Sequence, residues 1–132
     1  MRPRLVLDAG AVLALTRGDL TARAALRRAT REGRLVVLPT PVVAQIHRGG
    51  RTRAATDRVL KAVEAHLPTS LGTARLAGEL LGRAGLTDAV DAIVAAEALS
   101  GTPAAILTSD AGDLTALIDA GGGTGHVAIV AV

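Results

Sequence analysis

Two aspartates directly follow short apolar runs that have the composition of buried strands. Asp8 comes after Leu5-Val6-Leu7, and Asp110 comes after an Ala-Ile-Leu-Thr-Ser segment. Aliphatic runs of this kind are typical of strands in a parallel sheet, and ligands bind at the carboxyl ends of such strands. If the two strands are neighbours, about 4.8 Å apart, both carboxylates lie at one edge of the sheet. A carboxylate that ends a buried strand is costly unless a partner binds it, so Asp8 in particular predicts a site.

Three further aspartates are placed to join these two. Asp88 and Asp91 are one helical turn apart near the start of a predicted helix, and Asp113 follows Asp110 at the same spacing. Converging carboxylates repel one another and stay ionised at neutral pH only where a cation offsets their field. Oxygen ligands without Cys or His favour a hard ion, Mg²⁺ or Mn²⁺, which activates water and stabilises charge on a phosphoryl oxygen. The five aspartates therefore predict a divalent-metal site suited to phosphate chemistry.

Helix capping is the alternative explanation for both pairs. An N-cap at Asp88 would leave Asp91 at the third helical position, where the helix dipole favours a negative charge. Asp110 and Asp113 fit the same description. The sequence leaves the two explanations open for these four residues.

The composition divides the chain into a basic half and an acidic half. Residues 1–61 contain 13 Lys and Arg against 4 Asp and Glu, a balance of +9, and residues 62–132 contain 2 against 8, a balance of −6. All the cations but one are Arg, the side chain best suited to bidentate phosphate contacts. The chain has no Phe, Tyr or Trp, so any contact with a nucleic acid would use Arg, backbone amides or a metal instead of base stacking. The absence of Cys excludes disulfides, zinc–thiolate sites and cysteine nucleophiles.

Apolar runs alternate with helical patterns along the chain. This alternation predicts one α/β domain over residues 1–132, with three layers and a mostly parallel central sheet flanked by helices. Pro68 places the third strand at a sheet edge. The predicted strands are 4–8, 35–38, 66–68, 104–107 and 126–132, and the predicted helices are 11–15, 19–32, 39–49, 52–65, 70–84, 88–100 and 111–120.

The first residues combine basic side chains with an apolar run, a pattern superficially like a signal peptide. Asp8 interrupts this run, which continues only to Leu15. No stretch reaches the roughly 20 apolar residues that a membrane span requires. We therefore expect a cytoplasmic protein with no membrane partner.

Four segments, taken together and in order, resemble the PIN-domain ribonucleases, and most closely the VapC-type toxins of bacterial toxin–antitoxin pairs. The resemblance covers nearly the whole chain. The segments are Leu5-Val-Leu-Asp8 with Ala11, Pro41-Val-Val-Ala-Gln45-Ile-His-Arg48-Gly49, Thr87-Asp88-Ala-Val-Asp91-Ala-Ile-Val-Ala-Ala96, and Ile106-Leu-Thr-Ser-Asp110-Ala-Gly-Asp113-Leu114.

The resemblance implies a PIN-like fold and a divalent-metal-dependent endoribonuclease. It matches the family's first-strand aspartate to Asp8, the aspartate of its Asp-Ala-x-x-Ala-Ala helix to Asp91, and its Thr-x-Asp aspartate to Asp110. Asp113 is then an accessory acid, and Asp88 is an extra carboxylate beside the cluster. In this family a metal-bound water cleaves an RNA phosphodiester and leaves a 5′-phosphate and a 3′-hydroxyl. The family also implies a cognate antitoxin as inhibitor and, commonly, a homodimer.

One position departs from the family pattern. The helix after the second strand usually carries Glu within Val-x-Ala-Glu, and here the residue is Gln45, which brings hydrogen-bonding groups but no charge. The remaining acids still suffice for one ion. RNA phosphates are expected at arginines of the basic half, namely Arg48, Arg51, Arg53 and Arg58. The alternative function is a non-catalytic or weakly active PIN-like domain that binds RNA or regulates, with the acids serving as helix caps.

Overall fold

A five-stranded sheet forms the centre of the computed structural model, which describes residues 2–132. Its strand order is β3-β2-β1-β4-β5, and every pairing is parallel, so the sheet is more regular than the mostly parallel one predicted. Each strand lies within one residue of its predicted position. The strands are β1 (Arg4–Leu7), β2 (Leu35–Pro39), β3 (Ala65–Leu67), β4 (Ala104–Thr108) and β5 (Val127–Ala131).

Seven α-helices connect the strands within residues 2–132. None of these helices has the length and apolarity needed to cross a membrane. The helices are α1 (Ala9–Thr16), α2 (Leu20–Arg31), α3 (Thr40–Ile46), α4 (Arg53–Ala62), α5 (Leu71–Ala84), α6 (Ala89–Ser100) and α7 (Ala111–Ala120).

Side-chain caps explain where four of the helices begin, and Asp8 provides the cap of α1. Asp19 accepts a hydrogen bond from the Ala22 N–H at 2.9 Å at the start of α2, and Ser70 accepts one from the Thr73 N–H at 3.1 Å at the start of α5. Asp88 caps α6 in the same way. Such caps satisfy backbone donors that have no partner within the helix.

The segment between β2 and β3 differs from its prediction. The helix expected to continue to Gly49 ends at Ile46, and Gly49 and Gly50 then adopt positive φ angles of 72° and 69°, which lie outside the range of a right-handed α-helix. A 3₁₀ turn over Gly50–Thr52 leads into α4. This helix ends at Ala62, short of the predicted position 65, because Ala65 already pairs with Val37 in the sheet.

The direction in which successive strands are added to the sheet reverses between β1 and β4. The chain adds β2 and β3 on one side of β1 and then returns to add β4 and β5 on the other. Right-handed crossovers therefore place α1–α4 on one face of the sheet and α5–α7 on the other. In agreement, α1 packs against α2, α3 and α4, and α5 packs against α6 and α7. The carboxyl ends of β1 and β4 form the crevice where ligands bind in folds of this type.

The core is entirely aliphatic. The inner strands supply it from both faces, since Val6, Leu7 and Leu107 are fully buried, and α7 adds Leu114 and Leu117. Leu7 and Leu107 are register partners, so the residues that follow them leave the sheet side by side.

Candidate functional site

Asp8 is buried at the end of β1, where only 4% of its surface is exposed. It is the N-cap of α1 and accepts a hydrogen bond from the Ala11 N–H at 2.8 Å. Its other carboxylate oxygen accepts from the Thr108 hydroxyl, and the Ser109 N–H also donates to the side chain. Burial raises the pKa of Asp8 above its ordinary value of 3.8; the three hydrogen bonds oppose the rise, and the charge of Asp110 adds to it.

Thr108 joins the two acidic strand ends. It is the last residue of β4 and is fully buried. Its hydroxyl donates to Asp8 and accepts a hydrogen bond from the Asp110 N–H at 2.8 Å. The orientation of the Asp8 carboxylate is therefore coupled to the backbone that carries Asp110. The sequence analysis missed this role, and its only signal was a hydroxyl residue at the end of an otherwise aliphatic strand.

Three carboxylates converge at the mouth of the β1–β4 crevice. Asp91, Asp110 and Asp113 each place one oxygen within 4.8 Å of the corresponding oxygens of the other two. The first lies in the first turn of α6, and the other two lie at the start of α7. Asp110 is exposed and the other two are half-buried, so an ion from solution can reach all three. Oxygen ligands of this number and charge suit Mg²⁺ or Mn²⁺.

The electrostatics of Asp91 show how strongly the acids interact. Its pKa is raised from 3.8 to about 7 by burial, by the charge of Asp88, by a hydrogen bond shared with Asp110, and by the charges of Asp110 and Asp8. A carboxyl group whose pKa is raised to about 7 by burial and by neighbouring carboxylates marks a site where a cation would be stabilised. The residues present therefore fit a divalent ion.

The structure separates the two explanations offered for the acidic pairs. Asp88 is a helix cap, because one of its oxygens accepts from the N–H groups of Val90 and Asp91, both at 3.0 Å. Asp110 occupies the N-cap position of α7 but makes no capping hydrogen bond with its side chain. Capping thus accounts for Asp88 and leaves Asp110 free for other chemistry, while Asp113 belongs to the group of three.

Asp8 and Asp88 are near the group of three carboxylates but are not members of it. Both act on it electrostatically, since the charges of both raise the pKa of Asp91. The five predicted acids are therefore gathered at one edge of the sheet, in line with the strand positions on which the prediction was based. Their roles as metal ligands or catalytic residues stay predictions.

The remaining predicted residues lie on α3 and the segment after it. Gln45 is exposed in α3, and within residues 2–132 no hydrogen bond joins it to any of the five aspartates. The Arg48 guanidinium donates to the Ala44 carbonyl at 2.7 Å. Arg51 is exposed in the 3₁₀ turn, and Arg53 forms an exposed ion pair with Asp57 at 3.6 Å. These arginines are accessible to a phosphate backbone, although Asp57 offsets part of the charge of Arg53.

Sequence comparisons give no match: no family model fits the chain, and no curated protein matches it. Comparison with solved structures does give matches. A chain of the FitAcB crystal structure from Neisseria gonorrhoeae superposes with a TM-score of 0.69 and 19% identity, covering 95% of this chain and 95% of that one. A chain of FitAB bound to an IR36 DNA fragment gives a TM-score of 0.68 and 19% identity over 95% of this chain and 92% of that chain.

A third structure extends the comparison. A chain of VapBC2 from Rickettsia felis, bound to a DNA fragment from its promoter, gives a TM-score of 0.65 and 15% identity, covering 84% of this chain and 90% of that chain. At these identities the likeness is one of fold. The fold is that of a PIN-like α/β domain, as the sequence predicted. One of the chains that share this fold comes from a VapBC complex. The resemblance to VapC-type proteins is therefore confirmed at the level of the fold.

Proposed function

We propose that the protein is a divalent-metal-dependent endoribonuclease, the VapC-type toxin of a toxin–antitoxin pair. The observation that carries the proposal is the group of three carboxylates at the β1–β4 crevice, with a pKa of about 7 at Asp91. A site that raises the pKa of a carboxyl group to about 7 is matched to a cation that displaces the proton. The similar fold of the VapBC2 chain supports the assignment to this class.

Asp91, Asp110 and Asp113 are the residues that would hold Mg²⁺ or Mn²⁺. When bound, the ion would activate water and neutralise charge on the phosphodiester. Asp8 is the fourth proposed acid of the reaction: it adds negative charge to the site and, through Thr108, orients the backbone of Asp110. The capping oxygen of Asp88 is engaged with α6, so its proposed contribution to metal binding falls to its second oxygen.

Arginine side chains are the proposed means of RNA binding. Arg48 and Arg51 are exposed on the segment that links α3 to α4, and Arg53 is exposed at the start of α4. Guanidinium groups bind phosphate oxygens in pairs and make binding salt-dependent, because each contact releases counterions from the nucleic acid. The lack of aromatic residues leaves charge as the principal source of affinity for RNA.

The cleavage experiment uses an RNA pool incubated with the protein in EDTA, Mg²⁺ or Mn²⁺. We expect cleavage only with metal, 5′-phosphate ends on the products, and no cleavage by Asp110→Asn. The matched control is Asp119→Asn in the same helix, because Asp119 lies outside the group of three and its contact with the Thr124 hydroxyl is one that Asn also makes. Metal-independent cleavage would contradict the proposal. Metal binding without cleavage would favour the second candidate function, a non-catalytic PIN-like domain. That alternative is considered because Gln45 stands where the family usually has Glu.

The proposed protein partner is a cognate antitoxin. A cavity of about 340 Å³ lies between α1, α2 and α4; it has apolar walls that include Leu15 and Val59, and it is also lined by Arg23 and Arg58. An amphipathic segment with acidic residues beside its apolar face matches this lining. We expect Arg58→Glu to weaken the complex with the product of a neighbouring small gene, whereas Lys61→Glu, in the same helix and outside the cavity, leaves it unchanged. Equal affinities of the two variants would mean that the antitoxin binds to another surface.

The proposed assembly is a homodimer, which is inferred from the family resemblance, and the proposed location is the cytoplasm, which is the expectation from the apolar pattern of the sequence. Sedimentation of the free protein measures the first, and fractionation of cells that express it measures the second. A monomer at micromolar concentration would remove dimerisation from the proposal and leave the active site unaffected.

A further inference from the structure

Gly10 lies in the first turn of α1, against the loop that carries Asp110. A β-carbon built on Gly10 would lie 2.5 Å from the Ser109 Cβ and closer still to the Ser109 Oγ. Real β-carbons do not approach this closely, and the Ser109 Cβ is fixed to the backbone, so rotation of the side chain would not relieve the overlap. Any larger residue at position 10 must displace the loop between β4 and α7.

That loop holds two of the contacts on which the site depends. The Ser109 N–H donates to Asp8, two residues before Gly10. The next residue is Asp110, whose N–H donates to the Thr108 hydroxyl at 2.8 Å. Moving Ser109 away from α1 therefore stretches the link to Asp8 and shifts Asp110 relative to Asp91.

Glycine at this position is otherwise unfavourable. Glycine is a poor helix former, and the backbone of Gly10 does not have the positive φ that would require it. Its lack of a side chain serves the close approach of Ser109 instead. We propose that Gly10 is a positioning residue of the acidic site, which sets the distance between the Asp8 and Asp110 segments. The metal-binding part of this inference rests on the proposed function.

The experiment compares Mn²⁺ affinity, measured by calorimetry, across a small set of variants. Gly10→Ala should weaken binding by about 10- to 100-fold, the usual effect of disturbing residues that support metal ligands. Adding Ser109→Ala should not restore it, because the two β-carbons would still overlap. Adding Ser109→Gly should restore affinity to that of Ser109→Gly alone. The control is Gly78→Ala in α5, where an added Cβ meets nothing within 4 Å.

A second readout does not require metal. The amide resonance of Asp110 reports its hydrogen bond to Thr108. It should shift in Gly10→Ala, and in the double variant with Ser109→Gly it should coincide with the resonance of Ser109→Gly alone. If the unmodified protein binds no Mn²⁺, the proposed function fails and this resonance still decides the positioning role. An unshifted resonance with unchanged affinity in Gly10→Ala would overturn the inference, as would a double variant with Ser109→Gly that stays impaired.

Discussion

Removal of the Thr108 hydroxyl tests whether the two acidic strand ends are coupled as the structure indicates. Thr108→Val keeps the shape of the side chain and removes one donor from Asp8 and the acceptor of the Asp110 N–H. Each buried polar group left without its partner costs about 1–3 kcal/mol, and the bond to a carboxylate lies toward the upper end. With partial relaxation at the exposed Asp110, we expect a loss of about 2–4 kcal/mol in the free energy of unfolding near pH 8.

The loss should depend on pH, and its sign follows from Asp8. Burial already raises the pKa of Asp8, and removal of a hydrogen bond that favours the carboxylate raises it further. The folded variant therefore loses stability as pH rises from about 4 through that raised pKa, because a buried charge forms with less compensation. Toward pH 4 the raised pKa of Asp8 favours the protonated carboxyl group, and the loss should become smaller.

Urea denaturation followed by far-ultraviolet circular dichroism at both pH values, in EDTA, measures this difference. Thr108→Ser is the matched control, since it keeps the hydroxyl and loses only a methyl group. It should be destabilised by about 1 kcal/mol at either pH. An equal loss for Thr108→Val at the two pH values would refute the coupling, because a packing defect has no such pH dependence.

Four further outcomes are expected. Mn²⁺ affinity should rise as pH increases through about 7, because Asp91 must lose its proton to bind the ion; titration calorimetry at a series of pH values measures this, and a flat profile would contradict it. Without metal, the contribution of Asp91 to stability should fall by about 1–2 kcal/mol as pH rises from about 4 to about 7, after allowance for solvent screening, and Asp91→Asn should make the pH profile in urea denaturation flatter by that amount. RNA affinity should fall steeply with salt, and Arg51→Ala with Arg53→Ala should reduce the slope of log affinity against log salt in filter binding; an unchanged slope would remove these arginines from the interface. Gln45→Glu should tighten Mn²⁺ binding if the side chain turns toward the acids when metal is present, and unchanged affinity would mean that it stays in solvent.

The sequence was sufficient for the elements and for the chain positions of the acids. Apolar runs marked the strands within one residue because buried parallel strands are aliphatic on both faces. Asp8 and Asp110 could be placed at the same edge because parallel strands end together. The adjacency of β1 and β4 was a condition of that argument; their segments are about a hundred positions apart, and only the fold brings them together.

Roles that depend on side-chain packing could not be predicted. Thr108 appeared as a strand residue, and its two hydrogen bonds depend on Asp8 and Asp110 being on either side of it. Asp88 and Asp110 had the same local pattern, yet only the first caps its helix, because helix signals do not specify the rotamer of the capping side chain. The end of α3 was misplaced because the conformations of Gly49 and Gly50 depend on the path of the following turn.

The distribution of the acids along the chain bears on how the protein is made. A ribosome synthesises Asp113 more than a hundred residues after Asp8, and β4, which lies between β1 and β5, emerges long after β1. Until then β1 is an open edge and the crevice has one wall. An incomplete nascent chain therefore cannot assemble the group of three carboxylates. On the proposed function, a growing chain cannot cleave RNA before α7 has been synthesised.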